Sequence, residues 1–408
     1  MLKVPESKIR VVAGDIGGSF GMKSAVYNEV ALVLLGSKLT GRPVKWTSTR
    51  SEAFVSDAQA RDNITDAELA LDREGHFLGF RVKTIANLGA YLQMNSNVFV
   101  GNLGTLAGVY RTPAIHADVT AVFTHTNPVR PYRGNGRPEA AYVIERIVDC
   151  AAKELGIDPL ELRRRNIIPP EAMPFKSGLT FTYDCGEFAT TLSKAERAAD
   201  FAGFPARRAA AKKRGKLRGL GLSNTIERAA APGFEAAEVR FDSSGTATLL
   251  SGSITQGQGH ETIYKQIICD RLGLKPEQVH YVQGDTDKVA IGQGTGGSRS
   301  ATLGGSAVLA ASDKIIAKGR AIAAKVGHRR RRCEIRGRRV LLDALQPHTD
   351  YRRDREGIAQ PAQPARRAGA RSRRQRDVHG EGREFPQRLP RLRAGNRRGD
   401  RHRRHHAL

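Results

Sequence analysis

Cysteine is scarce: four in 408 residues, at 150, 185, 269 and 333, with no C-x-x-C pair among them. That spacing excludes a zinc ribbon, a redox dithiol and a disulfide framework, and it suits a reducing cytoplasm. Aromatic residues make up only 6% of the chain, with Trp46 the single tryptophan. No stretch approaches the roughly 20 apolar residues of a membrane span. The opening MLKVPESKIRVV has no signal-peptide apolar core, so the expected location is cytoplasmic. Nucleotide signatures fail as well at the first glycine-rich turn, DIGGSFGMKS (15–24). Met22, not glycine, precedes Lys23 and Ser24, so consecutive N–H groups cannot wrap phosphates as in a P-loop. Nor does this turn carry G-x-G-x-x-G.

Lysine is absent from residues 327–408, which hold 25 arginines, 9 acidic residues and two aromatics, for a net +16. The first 326 residues carry only +10 of the total +26. The basic balance that would otherwise point to nucleic acid is therefore a property of the tail. Such a segment cannot bury a core large enough to offset its chain entropy, so it reads as disordered. It also reads as GC-rich coding sequence translated out of frame from about residues 326–329. One back-translation of PQRLPRLR (386–393), shifted by a base, gives PNGCHVC. A genuine arginine-rich tail would instead make this a nucleic-acid-binding protein with salt-sensitive affinity. The other basic stretch, ARRAAAKKRGKLRG (206–219), lacks the interleaved aromatics that stack bases.

What is present is a mixed α/β pattern. Val26, Val30, Val33 and Leu34 keep helical spacing from Met22 onward, and a helix start after a glycine turn offers free N–H groups to an anion. Gly41-Arg42-Pro43 then breaks into a strand-like VKWTS. AELALDREGHFLGFRVKTIA reads as a hairpin turning at Asp72–Gly75, and EAAEVRFDSSGTATLLSG as a second one turning at Asp242–Gly245. The shared D-x-x-G form hints at two related halves. Residues 138–155 place Ala141, Ile144, Val148 and Leu155 on one helix face. Asp158-Pro159-Leu160-Glu161 supplies a cap, a first-turn proline and a capping-box glutamate for the next helix. In that helix Arg163–Arg165 reads as a solvated face. The expected organisation is a first domain over 1–170, a linker over 171–216, a second domain over 217–326 and the tail over 327–408.

Three more glycine-rich stretches each run into a helical pattern: PYRGNGRPEA (131–140), TQGQGHET (255–262) and GQGTGGSRSA (292–301). Backbone N–H groups, glutamine amides and serine hydroxyls gathered in this way suit a large, polar, phosphate-bearing ligand. GGSFGMK, YRGNGRPEAAYVIER, QGQGHET and GTGGSRSA, in this order, resemble the large subunit of the molybdenum hydroxylases: xanthine dehydrogenase, aldehyde oxidase and carbon monoxide dehydrogenase. The resemblance covers roughly residues 1–326. It implies an α+β fold of two related molybdopterin-binding subdomains and a molybdopterin cytosine dinucleotide cofactor. By the same resemblance Gly18, Phe20 and Gly21 lie near the metal, and Arg133, Gly134, Asn135 and Gly136 form the loop beside it. Gln256, Gly257, Gln258, Gly259 and His260 bind pterin and phosphates, and Thr295, Gly297, Ser298, Arg299 and Ser300 close the site. No side chain need ligate the metal.

The resemblance further implies hydroxylation of an aldehyde or N-heterocycle, with water as oxygen source and a glutamate as general base. Electrons would leave through a 2Fe-2S small subunit and an FAD medium subunit, in a homodimer of heterotrimers. True carbon monoxide dehydrogenases carry a cysteine in the loop where Gly134 stands, which argues against carbon monoxide. Asn135 replaces the phenylalanine of xanthine-type loops. Two departures concern the ends. Family members carry further residues before the first motif, and their catalytic glutamate lies in a GxGE segment that does not occur after residue 326. The expectation is thus a chain incomplete at both ends, without its general base, that neither retains cofactor nor turns over alone.

Overall fold

The computed structural model describes residues 4–24, 26–93, 102–227, 229, 231–325 and 358–359. The described residues fall into two compact units. Phe20–Glu227 form one. The residues up to Ser19 join those from 229 onward in the other, a division that differs from the expected boundary at 170. The N-terminal segment is tied there by the Arg10–Asp285 ion pair (2.8 Å) and by Ala13 N–H donating to the Gly284 carbonyl (2.7 Å).

In the unit Phe20–Glu227, Met22–Ser24 is only a 3-10 turn, and the first helix, α1, spans Asn28–Thr40 with Tyr27 as its uncapped N-cap. The expected helix start directly after the glycine turn is corrected: Gly21 stands seven residues before α1. None of the α1 side chains is buried, although the segment is rich in Val and Leu. Gly41, at φ 65°, ends it as a left-handed C-cap. VKWTS forms no strand. It leads into α2 (Arg50–Ser56), whose Thr49–Glu52 capping box is complete.

The first hairpin follows as read. β1 (Asn63–Leu71) pairs antiparallel with β2 (Phe77–Gly89), and β3 (Ile115–Phe123) adds to β2 in parallel. Asp72 makes the turn, accepting the His76 N–H on its carboxylate (2.7 Å). Helix α3 (Arg137–Leu155) and helix α4 (Pro159–Asn166) cover the sheet, burying Phe80 and Val82 against Ile144, Val148 and Leu162. Asp158 caps α4 through the N–H groups of Leu160 and Glu161. Glu161 does not complete a capping box; it pairs with Arg165 (3.0 Å).

Nor is Arg163 solvated. It is fully buried, bound to the Glu145 carboxylate (2.9 Å) and to Asp149 (2.9 Å). The segment expected as a linker carries a two-stranded ribbon, β4 (Phe175–Lys176) and β5 (Thr182–Tyr183), then α5 (Phe188–Ala198) and α6 (Phe204–Lys213). Tyr183, Phe188 and Leu192 belong to the same core, because these apolar side chains find cover against the sheet's helices.

The second unit repeats the plan. β6 (Glu235–Phe241) and β7 (Ala247–Ser251) form a hairpin, and β8 (Val279–Val282) pairs parallel with β7 after α7 (His260–Leu272). Asp242 turns this hairpin as Asp72 turns the first, accepting from the Ser244 and Thr246 hydroxyls and from their N–H groups; the hydroxyl bonds first, then the N–H bonds, hold its carboxyl down at about 2. α8 (Gly305–Lys325) packs beside α7 over a core of Leu249, Tyr264, Ile268, Val279, Ala307 and Val308. Of the tail, only the two-residue β9 (Ile358–Ala359) lies within the described residues, paired with the start of β6. The frameshift and nucleic-acid readings of 327–408 otherwise fall outside them. The architecture is α+β, two hairpin-plus-parallel-strand sheets each backed by helices. Among the described residues no helix is long and apolar enough to cross a membrane.

Candidate functional site

The expected residues gather into two groups, one within each unit. In Phe20–Glu227 the glycine turn meets the 131–136 loop. Arg133 N–H donates to the Phe20 carbonyl (2.6 Å), the Phe20 and Tyr132 rings lie 6.2 Å apart, and the Arg133 guanidinium sits 5.6 Å over the Phe20 ring. Gly21, at φ 105°, runs so close to the Pro131 carbonyl that any Cβ would collide with it. The loop itself holds four consecutive positive φ values: Arg133 29°, Gly134 96°, Asn135 33° and Gly136 85°. Three non-glycine residues at positive φ (Phe20, Arg133, Asn135) within these two short loops mark stored backbone strain of the kind that collects at ligand sites. Gly136 then caps α3 with no side-chain cap.

The buttress of this loop belongs to none of the four glycine-rich motifs. Arg61 donates to the carbonyls of Tyr132 (2.7 Å) and Arg133 (2.5 Å) and faces Glu139 at 3.4 Å. Its only signal in the sequence is a lone arginine 70 residues upstream.

In the second unit the 255–260 and 292–300 loops lie side by side. Thr295 hydroxyl donates to the Ile254 carbonyl (2.5 Å), Ser300 hydroxyl reaches Thr295 (3.4 Å), and Tyr264 hydroxyl donates to the Ser300 carbonyl (2.8 Å). Gln256 N–H folds onto the Gln258 side-chain oxygen (2.5 Å). Ser300–Gly304 form a π-turn into α8, a feature frequent at functional sites. Arg299 is committed to the loop, donating to the Gln293 (3.0 Å) and Gly294 (3.2 Å) carbonyls. Gly297 (φ 59°) packs against Ala231, and Ser298 (φ 54°) is the strained residue of this loop. Gly18 (φ 93°) lies in the N-terminal segment of this unit.

Whether these loops suit a large cofactor is tested by their glycines. Gly284 and Gly304 are packing glycines, whose Cβ would strike Ala13 and Tyr264. Gly17, Gly257, Gly259 and Gly294 are different: each has positive φ, and nothing lies within 4 Å of where a Cβ would be. They leave bare backbone open to whatever approaches. Gly259 caps α7 without a side-chain cap, so first-turn N–H groups stay available to an anion. His260, 3% exposed and stacked on Tyr264 at 5.6 Å, keeps its Nδ1 buried without a hydrogen-bond partner. Burial holds its imidazole pKa below the ordinary value, so the ring is neutral at pH 7. Open glycines, an uncapped helix start and an orphaned buried nitrogen fit a polar, phosphate-bearing group. Among the described residues no cluster of His, Cys, Asp or Glu offers a metal site built from side chains.

The chain matches the molybdopterin cofactor-binding domain twice, over residues 1–167 and 194–382. It is 38% identical to the carbon monoxide dehydrogenase large chain of Hydrogenophaga pseudoflava, over 79% of this chain and 42% of that one. It is 34% identical to the 6-hydroxypseudooxynicotine dehydrogenase complex subunit gamma of Paenarthrobacter nicotinovorans, over 80% of this chain and 42% of the relative. Its fold superposes on quinoline 2-oxidoreductase from Pseudomonas putida 86 with a TM-score of 0.73 and 34% identity, covering 77% of this chain and 42% of the other. The chain thus spans less than half the length of these relatives. With both cofactor-binding domains matched and relatives more than 30% identical over most of its length, the chain belongs to the large subunits of the molybdenum hydroxylases, the oxidoreductase family of xanthine dehydrogenase, aldehyde oxidase and carbon monoxide dehydrogenase.

Proposed function

We propose that these loops hold molybdopterin cytosine dinucleotide and that the intact enzyme hydroxylates an N-heterocycle or an aldehyde. The observation that carries this is the set of open glycines, Gly17, Gly257, Gly259 and Gly294, together with the buried Nδ1 of His260, which has no hydrogen-bond partner among the described residues. Gln256–His260 and Thr295–Ser300 would take the pterin and phosphates. Gly18, Phe20, Gly21 and Arg133–Gly136 would take the metal end. When bound, the group supplies oxygen transfer from water to a carbon and accepts the two electrons released. The chain's own part is positional. Arg61 fixes the 131–136 loop through its carbonyls, and the neutral His260 ring serves as a donor or acceptor without adding charge.

Gly134 in place of cysteine argues for a substrate other than carbon monoxide. The names of the quinoline and 6-hydroxypseudooxynicotine relatives support the N-heterocycle. Electrons would pass to iron–sulfur and FAD subunits of a cytoplasmic homodimer of heterotrimers. The test is molybdenum content and nucleotide release on acid hydrolysis, comparing this chain alone with a full-length large subunit that contains it, purified with its partner subunits from a host that makes the cytosine form. CMP in step with molybdenum in the full-length subunit, and neither in this chain alone, is the expected result. GMP in place of CMP, or a full-length subunit free of molybdenum, would overturn the reading.

A further inference from the structure

We propose that a cavity of about 550 Å³, lined wholly by residues of Phe20–Glu227, binds a small aromatic monocarboxylate. The cavity adjoins a buried charge without a counter-charge among the described residues. Two arginines are buried among the described residues, Arg130 and Arg163. Arg163 is matched by Glu145 and Asp149. Arg130, 4% exposed, donates among the described residues only to neutral oxygens, Gln93 Oε1 (3.3 Å) and Ser24 Oγ (3.3 Å), and its Nε has no hydrogen-bond partner among them. A guanidinium removed from water with long bonds to neutral groups is poorly compensated, and a planar carboxylate is the group its fork matches best.

Arg130 is among the residues that line the cavity, whose volume falls in the range of small-molecule sites. The rest of the wall sets the ligand's other end. Val26, Val55 and Pro128 are apolar, and Tyr27 and Tyr91 add aromatic side chains to the wall, the kind of surface a flat ring packs on. Tyr27 hydroxyl is engaged with the Met22 carbonyl (3.0 Å), so it contributes its ring rather than a free donor. Glu29 places one negative charge on the wall, which disfavours dianions and phosphates and narrows the ligand to a single carboxylate.

The experiment titrates the full chain with benzoate, with its neutral isostere benzamide and with acetate, by calorimetry. Benzoate should bind at least tenfold more tightly than either of the others. Arg130→Gln should erase the difference between benzoate and benzamide. Because a buried arginine also supports the fold, Gln93→Glu is the second variant. It brings a carboxylate to Arg130 from the protein itself, so it should raise the melting temperature and weaken benzoate at least tenfold. Equal binding of benzoate and benzamide, or benzoate binding retained in Gln93→Glu, would overturn the proposal. The assay reads binding without turnover, so its outcome is separate from that of the metal and nucleotide assay.

Discussion

Gly259 and His260 are adjacent residues with opposite demands. Gly259 sits in open space at φ 78°, so a methyl group there meets no atom and only the left-handed backbone is penalised. Gly259→Ala should therefore cost about 1 kcal/mol in denaturant melts, and Gly259→Asn should recover part of it, because Asn tolerates this region. His260 is legible in the sequence as a helix-start residue in QGQGHET. Its orphaned nitrogen is not, because that depends on Tyr264 and the core around it, which only packing assembles. Its pKa is lowered by burial, so the unfolded chain binds more protons between the folded value and about 6.5. Stability should fall as pH drops through about 6.5 in the chain as it stands. His260→Gln should flatten that slope between pH 8 and 5 in thermal melts. An unchanged slope would mean the ring titrates as if exposed.

Helices α3 and α4 are joined by charge, not only by their apolar faces. Arg163 Nε donates to Glu145 (2.9 Å), and Tyr110 hydroxyl donates to the other oxygen of the same carboxylate (2.5 Å), all within the core. Glu145→Gln leaves Arg163 buried with one carboxylate fewer and should cost about 3–5 kcal/mol. Tyr110→Phe, which removes one bond to a charged acceptor, should cost about 1.5–3 kcal/mol. A double-mutant cycle should show the two effects coupled. Read alone, three successive arginines look like a solvated face, since long charged side chains are rarely buried unless paired. The partner stands 18 residues away on another helix, and no local pattern announces it. The hairpins were legible for the opposite reason. Asp72 and Asp242 turn the chain through their own backbone neighbours, so the signal is complete within five residues.

Two hairpin-plus-parallel-strand sheets with separate cores should unfold as two events. The D-x-x-G repeat made the two halves legible. The packing of the residues up to Ser19 with the second unit was not, since Arg10 meets Asp285 from more than 270 residues away in the chain. The side chains of α1 show the same limit: their spacing announces a helix, yet none is buried, and spacing says nothing of what covers a helix. Differential scanning calorimetry should resolve two transitions, and the variants already named assign them. Glu145→Gln lies in the core of Tyr110 and Ile144 and should lower one transition while leaving the other in place. Gly259→Ala adjoins the core of Tyr264 and Ile268 and should do the reverse. A single transition that both substitutions lower together would mean that the two cores melt as one cooperative body, and the division at Ser19 and Glu227 would then have no energetic counterpart.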